Sequence, residues 1–115
     1  MNSRDKGKRG ELEASHILNS FGFNTRRGQQ YSGATGDADV IGIDGLHLEV
    51  KRVEKLNIYE AMEQSRFDAR DGEVPVVMHR KNNKGWLVTL DLADFVALWK
   101  ERDGKRAVQD NSEGA

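Results

Sequence analysis

The order of helical and strand periodicities along the chain, αβββαββα, predicts an α/β domain with mixed strand directions. Three observations carry this. Apolar residues recur at helical spacing ahead of Gly22 and again over 58–70; two apolar runs, 38–43 and 46–53, are split by Asp44-Gly45; and a continuous apolar run begins at Val74. The 115 residues suffice for one domain with its own core, expected over 1–102. The stretch 103–115 lacks apolar periodicity and is expected to be a flexible tail.

The first helix is expected over 6–21, because Ala14, Ile17, Leu18 and Phe21 repeat at i, i+3, i+4 and i+7 and Gly22 supplies a left-handed stop. Glu11 lies one turn before Ala14, on the border of that stripe, where it can reach the sheet beneath. A short strand at 23–27 follows. The polar, glycine-rich stretch 28–36 then reads as a loop able to bring its backbone close to a ligand.

The runs 38–43 and 46–53 form a hairpin. In its second strand His47, Glu49 and Lys51 alternate with Leu46, Leu48 and Val50, so the polar trio shares one face. A two-residue Asp44-Gly45 turn would set Asp39 opposite Val50, on the wrong face from Glu49. A three-residue turn, with Gly45 left-handed in a bulge, sets Asp39 opposite Glu49, and this register is the one expected. The second helix spans roughly 58–70, with Asn57 as cap, Glu60 at the capping-box position, and Ile58, Met62, Ser65 and Ala69 inward. Gly72 ends it. Strands over 74–80 and 86–90 flank a turn at 82–85, and Asp91 caps a last helix with Leu92, Phe95, Val96 and Trp99 on its apolar face.

The net charge of −1 hides an uneven distribution. Residues 1–30 carry six Lys/Arg against three Asp/Glu, 37–73 carry five against ten, and 79–106 carry seven against four. Basic flanks around an acidic centre suit a protein that grips phosphates peripherally and holds cations centrally; a solvated surface of mixed sign is the competing reading. With no cysteine, neither disulfides nor thiolate zinc sites are available, and three histidines at no ligand spacing argue against zinc. No apolar leader or membrane-length apolar stretch occurs, so a cytoplasmic protein is expected, with cellular and viral origins equally compatible.

Asp39, Glu49 and Lys51 on one hairpin are the residue types that phosphodiester hydrolysis needs. Carboxylate oxygens hold Mg²⁺, or Mn²⁺ in its place, while leaving room for water and phosphate, and the Val50 carbonyl can add a ligand. The Lys51 ammonium can orient the attacking water or steady developing charge. A solvent-facing Glu49–Lys51 ion pair is the competing explanation. Around them, Arg9, Arg26, Arg27 and Arg52 are candidates to hold DNA phosphates. Asp37, Gln64, His47 and the outward Phe67, a candidate dimer contact, are weaker ones.

Glu11, then Asp39, then Glu49-x-Lys51 resembles the pattern of the PD-(D/E)xK nuclease superfamily, with Ala38 where the superfamily's name places proline. The segments 8–13, 22–23, 32–33, 37–42, 48–52 and 75–77 leading to Gly85-Trp86 are similar to archaeal-type Holliday junction resolvases and their phage-encoded relatives. The resemblance implies a restriction-endonuclease-like αβββαβ core and a Mg²⁺-dependent endonuclease acting on branched DNA as a homodimer. It further implies Asp39 and Glu49 as metal ligands, Lys51 as catalytic lysine, Glu11 as the helix carboxylate, and Ser32 near the scissile phosphate. A nuclease without junction preference and a non-catalytic DNA-binding module are the alternatives.

Overall fold

The computed structural model describes residues 3–29 and 38–114. Its elements are α1 (Ser3–Ser20), β1 (Arg26–Arg27), β2 (Val40–Ile41), β3 (Leu46–Arg52), α2 (Ile58–Asp68), β4 (Val74–Arg80), β5 (Leu87–Leu90) and α3 (Leu92–Gly114). The strands form one sheet in sequence order, with β3 and β4 parallel and every other pair antiparallel. The parallel pair requires a crossover, and α2 provides it.

Alternation along β3 and β4 divides the core between the two faces. On one face Leu48, Val50, Val76 and Met78 meet Ala14 of α1 and Val40 of β2. On the other, Val77 packs beneath Ala61 and Met62 of α2. The polar trio of β3 therefore lies on the α2 side.

The contact face of α1 differs from the expected stripe. Ala14 and Leu18 pack inward, but Ile17 and Phe21 are exposed. Ser15 is buried instead, its hydroxyl 2.9 Å from that of Thr25, while Asn19 Oδ1 accepts the Thr25 N–H at 2.7 Å. This buried polar clasp joins α1 to Thr25, and β1, at Arg26–Arg27, is shorter than expected. Gly10 sets the closeness of α1 to β3: a Cβ there would lie 3.1 Å from that of Arg52.

The hairpin takes the three-residue turn. Gly45 is left-handed at φ +84°, Ile43 C=O accepts the Leu46 N–H, and Val40 pairs with Leu48, which brings Asp39 beside Glu49. Gly42 has φ +123°, and a Cβ on it would fall 2.4 Å from the Asn24 carbonyl oxygen. Gly42→Ala is therefore expected to destabilise the fold by about 3 kcal/mol or more, combining a forbidden backbone conformation with a clash, as urea denaturation would measure.

In α2 the Asn57 side chain accepts the Glu60 N–H, as the sequence suggests, and the helix stops at Asp68. Asp91 stands before α3, where its carbonyl accepts the Phe95 N–H, but its carboxylate does not cap the helix. It forms a two-pronged pair with Arg66, at 2.7 and 2.9 Å. Beyond Arg102, α3 continues through the stretch set off as a tail, with a Lys105–Glu101 pair at 3.6 Å along its surface. None of the helices over the described residues is long and apolar enough to cross a membrane.

Candidate metal centre

A cleft of about 460 Å³ opens between the start of α1, the β2–β3 hairpin and α2, lined by Lys6, Glu11, Asp39, Glu49, Val50, Lys51 and Gln64 among others. Three elements build it. The hairpin register brings Asp39 to Glu49, strand alternation aligns Glu49 with Lys51, and the inner border of α1 supplies Glu11.

Asp39 and Glu49 are partly removed from water and carry like charge, which cannot both persist without a cation. Burial, then the Glu49 charge, pushes Asp39 up to about 8, against the pull of the Val50 N–H that Asp39 Oδ2 accepts at 2.8 Å. For Glu49 burial works upward too, but hydrogen bonds from His47 and Asp39 and the charges of His47 and Lys51 outweigh it. Its carboxyl is held below the usual range. The two carboxyls are thus pushed in opposite directions, Asp39 toward the neutral acid and Glu49 toward the anion.

Glu11 faces the cleft with its carboxylate paired to Arg27 Nε at 2.5 Å. The two residues, expected as a catalytic acid and a phosphate contact, are thus each other's partner. Its charge still adds to the upward push on Asp39. Arg52 lies on the opposite face of β3 from Lys51, where Glu13 holds Arg52 Nε at 3.1 Å, without hydrogen-bond alignment, and Arg80 Nη1 at 2.6 Å. Arg52 is nonetheless among the residues that line the cleft. Arg9 and Arg26 are exposed, Gln64 borders the cleft beside Lys51, and Phe67 is 87% exposed. Ser32 and Asp37 lie outside the described residues.

Two further residues join the centre. His47, 3% exposed, sets Nε2 2.8 Å from Glu49 Oε1 and Nδ1 3.9 Å from Glu73 Oε1. Asp68, from the end of α2, completes a group in which ligand atoms of His47, Glu49 and Asp68 lie within 4.8 Å of one another, a set able to hold a divalent ion. Glu49 belongs to this group and to the Asp39 pair. The His47-x-Glu49 alternation placed both on one face, but nothing local in the sequence brings Asp68 to them. Because His47 fixes one Glu49 oxygen, His47→Ala is expected to weaken divalent-ion binding about 10- to 100-fold in calorimetry while leaving the fold intact.

The sequence matches no protein-family profile and no curated protein at a significant level. Among solved structures, the fold is similar to that of Hjc, a Holliday junction resolvase from the archaeal hyperthermophile Archaeoglobus fulgidus. The likeness has a TM-score of 0.50 and 20% identity, covering 74% of this chain and 72% of that one. The α/β architecture described above, a mixed five-stranded sheet flanked by helices, is the restriction-endonuclease-like αβββαβ arrangement.

Proposed function

We infer that the chain is a metal-dependent DNA endonuclease that hydrolyses phosphodiester bonds in branched DNA, acting as a homodimer on four-way junctions. The observation that carries the reading is the convergence of Asp39 and Glu49 beside Lys51 in one cleft. The resolvase-like fold supports it.

Asp39, Glu49 and the Val50 carbonyl are the ligands assigned to Mg²⁺, with Mn²⁺ a substitute. All are hard oxygen donors, suited to either ion. When bound, the ion supplies charge neutralisation at the phosphoryl oxygens and a water of lowered pKa. The Lys51 ammonium would orient an attacking water and steady charge developing on the phosphate. His47 keeps Glu49 in place, and the Glu11–Arg27 pair braces the cleft wall. Arg9 and Arg26, exposed on α1 and β1, take DNA phosphates, and Ser32 is assigned a contact with the scissile phosphate.

Incubation of the protein with a four-way junction and a matched linear duplex, in Mg²⁺ or in EDTA, tests this. Symmetric Mg²⁺-dependent nicks in the junction alone are expected. Equal cutting of both substrates would instead mark a nuclease without junction preference, and binding with no cutting would mark a non-catalytic DNA-binding module.

A further inference from the structure

The feature the site leaves unused is α3. Its 23 residues make only sparse contact with the rest of the fold, and the molecule is elongated, 60 × 30 × 25 Å. Its radius of gyration of 16.2 Å exceeds the value of about 13 Å for a compact domain of this length. Between α3 and the sheet runs an apolar groove of about 400 Å³, with Leu48, Val76 and Met78 in its floor and Phe95, Leu98 and Trp99 in its wall. Phe95 and Trp99 are stacked, with ring centroids 6.3 Å apart, yet stay 50% and 53% exposed. Such a surface is costly in water.

We propose that a second copy of this chain closes the groove, its α3 lying antiparallel to the first across a two-fold axis near Leu98. This deepens the homodimer named above by assigning its face, and it rests on that part of the reading. Two observations select a second copy. The first is charge: residues 92–97 carry Asp94 and no Lys or Arg, Asp91 being held by Arg66, whereas 100–106 carry Lys100, Arg102, Lys105 and Arg106 against Glu101 and Asp103. Antiparallel pairing about Leu98 sets Asp94 of each helix against the partner's Arg102 within its basic stretch, and an isologous contact does so twice. The second is area. The exposed parts of Val88, Leu92, Phe95, Val96, Leu98 and Trp99 amount to on the order of 600 Å² per chain, near the roughly 800 Å² per partner of a standard interface. The polar flanks of α3 make up the difference.

Sedimentation velocity of the full chain, from micromolar to hundred-micromolar concentration, tests this. The expected species has twice the 12.9 kDa mass of one chain. The double substitution Phe95→Asp and Trp99→Asp is expected to weaken dimerisation about thirtyfold or more with native circular dichroism, since α3 barely packs on its own core. Should that variant fail to fold, charge reversal still decides. Asp94→Arg and Arg102→Asp are each expected to weaken the dimer about tenfold and to restore it when combined. A monomer at every concentration would overturn both the pairing and the face. A dimer indifferent to all these changes would overturn the face and leave the pairing, and neither result would touch the assignment of the metal centre.

Discussion

Asp39→Asn is expected to abolish cleavage while leaving DNA binding intact or stronger, and to make the metal-free protein more stable at pH 8. The three effects share one cause. The substitution removes a carboxylate assigned to the cation, so hydrolysis should fall by roughly 10³-fold or more. It adds no negative charge to a surface that meets phosphate, so binding does not suffer. It also replaces a group that burial and Glu49 oppose as an anion with a neutral one of the same shape. Cleavage assays, gel-shift titrations and thermal melts in EDTA read the three effects separately. A variant that cuts at the normal rate would remove Asp39 from the site.

Metal-free stability should fall as pH rises, and a divalent ion should cancel the fall. Asp39 has a folded-state pKa of about 8 against an ordinary 3.8, so the folded protein binds the proton more tightly than the unfolded chain. The contribution of the neutral acid is fully present below pH 4 and is lost as pH climbs through 8, a difference on the order of a few kcal/mol. Melting temperature in EDTA is expected to decline across that window, and melts with saturating Mn²⁺ to stay level. By the same linkage, cleavage at subsaturating Mg²⁺ should rise about tenfold per pH unit below 8 and flatten above it, because the ion must displace the Asp39 proton. Asp39→Asn should flatten the EDTA profile.

The hairpin was the most legible part of the chain. Gly45 can take a left-handed turn, and strand alternation then leaves one register that puts Asp39 and Glu49 together, the register found. Local chemistry also located α2, through Asn57 and Glu60. What periodicity could not reveal was competition between partners. Ile17 and Phe21 satisfy a helical stripe, yet both are exposed while Ser15, in the clasp with Thr25 and Asn19, is buried. Asp91 has the chemistry of a cap, but Arg66, 25 residues away, engages its carboxylate. Arg27 and Arg52 read as phosphate contacts, and no local pattern reveals that the fold also pairs them with Glu11 and Glu13. Asp68 reaches His47 and Glu49 only because α2 crosses back over β3, a relation no local pattern contains. Residues within one hairpin were readable because their spacing is their geometry; residues joined by a crossover were not.

The central claim is that Asp39 and Glu49 converge where a divalent cation binds. Calorimetric titration of Mn²⁺ into the protein at pH 7, repeated in buffers of different ionisation enthalpy, counts the protons released. The account predicts close to one proton per bound ion in the wild type and none in Asp39→Asn, whose affinity should also be much weaker. Binding that releases no proton and is as tight in Asp39→Asn as in the wild type would place the ion elsewhere and contradict the account.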